Sequence, residues 1–281
     1  MYTHFTGHVF HSYYGKFKTS VFIRIEKILA RFATDKIIVI SPQQLREIHG
    51  EFGIGRSGQF EVVPLGIDLA PFANTQAVRG TIRDEIGAGR DELLIGFIGR
   101  LTEIKNVSLL LKVADLYNQG DNDALPKLRF IIVGDGHLRE SLERESKKLG
   151  LSRFVKFLGN RTDTETIYAG LDVVALTSFN EGTPLSLIEG MASERAVIST
   201  AVGGVVDLLG QVEDDKEGFS VCGRGVLVAP NSAESFFNGL IYLVKDEKLR
   251  ERMGACGRSF VAAEYSKDRL VRDIKDLYRN L

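Results

Sequence analysis

The feature that most constrains this chain is an alternation of short, continuously apolar runs with longer runs of helical period. LLIGFIG (93–99), LRFIIVG (128–134), VKFLG (155–159), DVVALTS (172–178), AVIST (196–200) and GVLV (225–228) read as strands. Between them, VSLLLKVADLYNQ (107–119), HLRESLERESKKLG (137–150), TDTETIYAGL (162–171) and PLSLIEGMAS (184–193) read as helices, and SAESFFNGLIYLVKD (232–246) opens a helical C-terminus. A strand that is apolar throughout must be covered on both faces, so helices pack on each side of a parallel sheet. The expected fold is a doubly wound α/β domain, which takes its ligands beyond the carboxyl ends of the strands.

The first part of the chain has the same style in shorter supply. GHVF (7–10) reads as a strand, and SVFIRIEKILARF (20–32) as a helix with Val21, Phe22, Ile25, Ile28, Leu29 and Phe32 in one stripe. KIIVIS (36–41) reads as a strand whose Ser41-Pro42 opens the next helix, and EVVPLGID (61–68) leads to a linker near Ala70–Thr81. The expected division is a partial Rossmann-like domain over 1–75, a complete one over 76–264, and a C-terminal helix over 265–281. A doubly wound domain needs ~100–150 residues. The remainder of the first domain is therefore expected upstream or from another chain. The chain alone is expected to lack the full activity of a complete protein, and to associate as a homodimer or larger species.

Charge excludes one class of partner. Lys and Arg number 36 against 37 Asp and Glu, a formal net charge of -1, so no global field draws nucleic acid. Two cysteines, Cys222 and Cys256, make neither a disulfide framework nor a zinc pair. No apolar run approaches the ~18 residues of a membrane span, and MYTHFTGHVFHSYYGK lacks the pattern of a signal peptide. Together these point to the cytoplasm.

Three segments carry candidate chemistry. In Glu181-Gly182-Thr183-Pro184-Leu185-Ser186-Leu-Ile-Glu189, a buried strand gives way to a helix, with Thr183 read as cap and Pro184 as first helical residue. The free N–H groups of Leu185 and Ser186 then make an anion site at the helix start. Glu189 lies one to two turns inside and can accept from a pair of sugar hydroxyls; a capped helix with a solvated Glu189 fits the same spacing. In Gly99-Arg100-Leu-Thr-Glu-Ile-Lys105-Asn106, two cations follow one strand end. A forked guanidinium and a mobile ammonium suit a diphosphate. Val133-Gly134-Asp135-Gly136 allows close backbone approach but alone reads as a tight turn. Asp121-Asn-Asp123 lies at the wrong end of the sheet for a ligand and reads as a turn. His4, His8 and His11 crowd the N-terminus without metal-ligand spacing, and a cleft contact or a packing role fits them equally.

Taken together, GHVFHSYYG, RIEKILARFATDKIIVIS, VVPLGID, IGRLTEIKN, IIVGDG, VKFLGN and EGTPLSLIEGMA resemble the retaining glycosyltransferases of family 4, which have the two-domain GT-B fold. The resemblance covers nearly the whole chain. It implies that the helix over 265–281 crosses back to the first domain, and it implies a nucleotide-sugar donor, with UDP the commonest base and GDP the alternative, and a glycan, lipid-linked or small-molecule hydroxyl acceptor. Arg100 and Lys105 would grip the diphosphate, Glu189 the ribose hydroxyls, and Glu181 the transferred sugar. Backbone N–H groups at Thr183, Leu185 and Ser186 would cradle the β-phosphate. Phe157, Leu158 and Asn160 would receive the base in a loop over 157–160, and Gly99, Gly134, Gly136, Gly182 and Pro184 would complete the donor site. His8 is assigned the family's cleft histidine, with Thr6 the alternative at that position.

The implied mechanism is metal-independent front-face displacement with no cofactor. The implied location is cytoplasmic, with peripheral contact at the inner face of a membrane through the N-terminal domain. Asn106 stands where the family usually has glycine, which implies a stiffer loop, and no Gly-rich phosphate loop of an N-terminal domain is present. A nucleotide-sugar 2-epimerase and a noncatalytic sugar-nucleotide-binding module share the architecture and stand as alternatives.

Overall fold

The computed structural model describes residues 2–5, 16–73, 75–120 and 125–279. They separate into two compact units, Met1–Ile67 with Glu181–Thr183 and Glu264–Leu281, and Asp68–Asn180 with Pro184–Ala263.

In the first unit, β1 (Tyr2–Phe5), β2 (Lys36–Val39) and β3 (Phe60–Val62) form a parallel sheet in that order. The GHVF run lies outside the described residues, and the strand in its neighbourhood is β1. Helix α1 (Lys16–Phe32) joins β1 to β2, and α2 (Pro42–Leu45) follows β2. Ser41 caps α2 by accepting from the Gln44 N–H at 3.1 Å, with Pro42 at the first helical position. Ala30, Ile37, Val39, Ile48, Ile54 and Phe60 make the core. The stripe of α1 is not what packs there. Val21, Phe22, Ile25, Ile28 and Phe32 are exposed, while Ala30 and Ile23 turn to the core.

In the second unit, the described strands and helices run α3 (Thr75–Ile86), β4 (Glu92–Ile98), α4 (Val107–Gln119), β5 (Lys127–Val133), α5 (Arg139–Lys148), β6 (Val155–Gly159), α6 (Thr164–Gly170) and β7 (Val173–Leu176). They continue with α7 (Leu185–Ala192), β8 (Ala196–Thr200), α8 (Val205–Leu209), β9 (Val212–Lys216), β10 (Phe219–Cys222), β11 (Gly225–Val228), α9 (Ala233–Lys245) and α10 (Glu247–Glu264). The sheet order is β6-β5-β4-β7-β8-β11-β10-β9, parallel from β6 to β11, with β10 antiparallel to both of its neighbours. The six parallel strands therefore follow the 3-2-1-4-5-6 order of a Rossmann sheet. Their inner positions, among them Leu94, Ile95, Phe97, Phe130, Ile131, Val174 and Ile198, are fully buried, as strands covered on both faces must be.

Two glycines permit close packing. A Cβ on Gly96 would lie 2.1 Å from Leu171, and one on Gly170 would lie 2.0 Å from Ile82. Hence the Ile82 side chain of α3 packs directly on the α6 backbone at Gly170. The segment read as a linker is in part α3. Its Arg79 and Arg83 both pair with the buried Asp172 carboxylate, which also accepts from the Leu94 N–H at 2.8 Å.

Helix α11 (Lys267–Arg279) belongs to the first unit. Ile67 donates to the Tyr265 carbonyl and accepts from Lys267, each at 2.9 Å, and the Arg269 guanidinium donates to the carbonyls of Pro64 and Leu65. Gly66 allows this approach, since a Cβ there would lie 2.4 Å from Leu270.

Candidate functional site

Strand β4 leads to β5 on one side of the sheet, while its other neighbour β7 leads on to β8, so a topological switch point lies between β4 and β7. The Arg100 and Lys105 segment leaves the carboxyl end of β4, and residues 177–180 leave that of β7. Two hydrogen bonds join these segments. Thr177 Oγ1 donates to the Lys105 carbonyl at 2.9 Å, and the Phe179 N–H donates to the Ile104 carbonyl at 2.8 Å.

Lys105 is half-buried at the end of the 3₁₀ turn Glu103–Lys105. Its Cε lies 4.0 Å from where a Cβ on Gly99 would be, so the glycine leaves room for the side chain across the strand end. Arg100 is exposed, and its guanidinium makes no ion pair among the described residues. Asn106 then turns the chain into α4 with φ 46 and ψ 47. That left-handed conformation favours glycine, and asparagine is among the few other residues that enter it readily. The turn is thus kept without glycine.

The Gly134-Asp135-Gly136 segment packs backbone to backbone on Gly99–Leu101. A Cβ on Gly134 would meet the Gly99 carbonyl oxygen at 1.9 Å, and one on Gly136 the Leu101 carbonyl oxygen at 2.3 Å. The Leu101 N–H donates to the Asp135 carbonyl at 2.8 Å, and the Gly134 N–H to the Gly159 carbonyl at 2.7 Å. Three strand ends are therefore tied at the backbone level. Phe157 and Leu158 are part of β6 rather than of a loop, with a register shift opposite Ile132 and Val133, and Gly159 has φ +68. Asn160 follows, exposed at the strand end.

Helix α7 opens one residue later than the spacing suggests. Pro184, not Thr183, occupies the cap position, with φ -75 and ψ 110 and no side-chain cap hydrogen bond. Proline cannot cap with a side chain, so the Leu185 and Ser186 N–H groups are left without hydrogen bonds among the described residues. Leu185 is exposed and Ser186 half-buried. Inside the helix, burial pushes the Glu189 carboxyl above its ordinary range, opposed by the hydroxyl of Tyr168 on α6. That hydroxyl is buried, faces Glu189 and makes no hydrogen bond of normal geometry.

A family profile described as "Glycosyl transferases group 1" matches residues 78–279. The chain belongs to the group 1 glycosyl transferases. It is 29% identical over 222 residues to the Escherichia coli UDP-Gal:alpha-D-GlcNAc-diphosphoundecaprenol alpha-1,3-galactosyltransferase, covering 78% of this chain and 54% of that relative. It is 30% identical over 256 residues to the D-inositol 3-phosphate glycosyltransferase of Corynebacterium jeikeium, covering 88% of this chain and 58% of the relative. The chain thus spans little more than half the length of these two curated relatives. Among solved structures it resembles Anabaena HepE in complex with UDP, with a TM-score of 0.83 and 20% identity, covering 100% of this chain and 72% of that one. WaaG, described as a glycosyltransferase involved in lipopolysaccharide biosynthesis, superposes with a TM-score of 0.68 at 19% identity, covering 85% of this chain and 61% of that one. The fold is of the GT-B type.

Glu181, Gly182 and Thr183 are half-buried and group with the first unit. His8, Thr6 and the Asp121-Asn-Asp123 run lie outside the described residues. Among the described residues, no three His, Cys, Asp or Glu side chains gather as a metal site, and no helix is long and apolar enough to cross a membrane. Two residues that the motifs leave out lie against candidate residues, Thr177 on Lys105 and Tyr168 on Glu189. Thr177 ends an apolar run with a hydroxyl, a visible signal of the strand's functional end. Tyr168 carries no such signal, because an aromatic residue in a buried helix reads as packing.

Proposed function

We propose that the chain is the donor-binding part of a retaining glycosyltransferase of family 4 type, using a UDP-sugar. The observation that carries this is the switch point, where the Arg100 and Lys105 turn is hydrogen-bonded to the chain leaving β7. A diphosphate there meets two cations. The N–H groups of Leu185 and Ser186, and the dipole of α7, add further positive potential. Relatives whose names or titles include UDP support the choice of base.

In this reading, Arg100 and Lys105 stabilise the charge that grows on the leaving diphosphate. The acceptor hydroxyl attacks from the face the diphosphate leaves, so anomeric configuration is retained and no side-chain nucleophile is needed. Glu181 contacts the transferred sugar, Glu189 accepts from the ribose hydroxyls, and His8 faces the cleft. Phe157, Leu158 and Asn160 receive the base, and Gly99, Gly134, Gly136, Gly182, Thr183 and Pro184 bring backbone close to the donor. The acceptor is a glycan or lipid-linked hydroxyl. The positive charge comes from protein groups, so EDTA leaves donor binding intact.

Membership of a transferase family favours transfer over epimerisation. The test is acceptor-dependent release of UDP from UDP-sugars, with the product's anomeric configuration read by NMR. Retention supports the proposal. Inversion overturns the mechanism, and a 2-epimeric sugar formed without acceptor overturns the class.

A further inference from the structure

Tyr168 is a fully buried residue whose position is fixed from several sides. Its ring stacks edge-on against Phe72, with centroids 5.8 Å apart and planes at 72°. Its helix is pinned to α3 where Gly170 meets Ile82, and its neighbours Ile167 and Ala169 are fully buried. Phenylalanine would satisfy all of that packing. The hydroxyl is the part that packing does not explain, since it is buried without a hydrogen bond of normal geometry. Buried polar groups left so are uncommon and costly. The charged group it faces is the Glu189 carboxylate, on the adjacent helix α7.

A carboxylate has two oxygens and about four acceptor sites. A ribose diol engages some of them and leaves others for a donor on the protein side. A phenol is such a donor, held without conformational freedom at the closed end of the pair. We infer that Tyr168 is a positioning residue for Glu189, its hydroxyl donating to the carboxylate so that the remaining acceptor sites are held toward the ribose hydroxyls of the donor nucleotide. The inference rests on the proposed ribose role of Glu189. It adds a specific claim, that recognition of the diol depends on a phenolic oxygen in the neighbouring helix. The ring's packing then sets the direction of the donor, and the hydroxyl sets the direction of the acceptor.

The experiment uses the full 281-residue chain, calorimetric titration with UDP and with 2′,3′-dideoxy-UDP, and the variants Tyr168→Phe and Glu189→Gln. Tyr168→Phe keeps the ring and its packing on Phe72 while removing only the proposed donor, so the variant stays folded, which its thermal midpoint checks. The parent binds UDP more tightly than the dideoxy nucleotide. Tyr168→Phe loses affinity for UDP by roughly threefold to tenfold, the scale of one hydrogen bond to a charged group. It binds the dideoxy nucleotide as the parent does. Equal loss for both nucleotides, or no loss for either, overturns the inference. If the parent prefers UDP, Glu189→Gln loses that preference and Tyr168→Phe keeps it, Tyr168 alone is wrongly assigned. If the parent binds the two nucleotides alike, or binds neither, the ribose reading of Glu189 fails and this inference with it.

Discussion

Glu189 places a carboxylate where burial opposes its charge, which raises its affinity for a proton in the folded state. A raised folded-state pKa favours folding when the group is protonated, and that contribution is lost as pH rises through the raised value. Above the raised value the ionised Glu189 is therefore a burden on stability. Glu189→Gln should raise the thermal midpoint at about pH 7, with the gain shrinking as pH falls into the ordinary carboxylate range near 4.3. Unfolding curves of both proteins across that range check this. A difference that does not change with pH would show that ionisation of Glu189 is not its source. The same variant should bind UDP more weakly, since an amide accepts less strongly than a carboxylate. Residues of this kind were legible in type and spacing but not in surroundings. Glu189 could be placed inside a helix, whereas the Tyr168 hydroxyl facing it comes from the preceding helix, across strand β7, and only the folded chain brings the two together.

Elements show where pattern reading succeeds and why it stops. The buried strands and the helices between them were legible because length and continuous apolarity leave little alternative, and β6, β8, β11 and α4 carry the same bounds as the sequence runs. Helix α3 was not legible. Its apolar content is a thin line of Val78, Ile82 and Ile86 with Gly80 inside, and Arg79 and Arg83 hold it to Asp172, an arrangement only the folded chain reveals. Strand β9 (VEDDK) has no apolar alternation and is exposed throughout. It is a charged sheet edge, which resists pairing with other chains. The glycine segment after β5 was read as a tight turn on its own, yet its contacts make it the element that fixes the strand ends. Gly134→Ala would set a methyl 1.9 Å from the Gly99 carbonyl oxygen, at a φ of +129 that side chains rarely adopt. The strand ends must then separate. The expected cost is at least 1–3 kcal/mol, roughly the scale of overpacking, with a parallel loss of UDP affinity. Denaturant titration and calorimetry measure the two, and an unchanged stability with unchanged binding would contradict the backbone contact described above.

At the scale of the whole molecule, the second unit carries a Rossmann sheet, and the described residues of the first carry three parallel strands and an apolar helix face open to solvent. Val21, Phe22, Ile25, Ile28 and Phe32 form a contiguous helical stripe, a surface of the kind that drives association. Light scattering should therefore show concentration-dependent association of this chain, reduced by Ile25→Glu with Ile28→Glu. A monodisperse monomer at all concentrations would show that the stripe is tolerated. The central claim is that the turn between β4 and α4 grips a nucleotide diphosphate. It is tested most directly by calorimetric titration of UDP, in EDTA, into the unaltered chain and into Arg100→Ala and Lys105→Ala. Each charge-assisted contact should be worth ~1.5–3 kcal/mol, about tenfold or more in affinity. The account predicts binding by the unaltered chain and a loss of that size in each variant; equal affinity in all three proteins would contradict it.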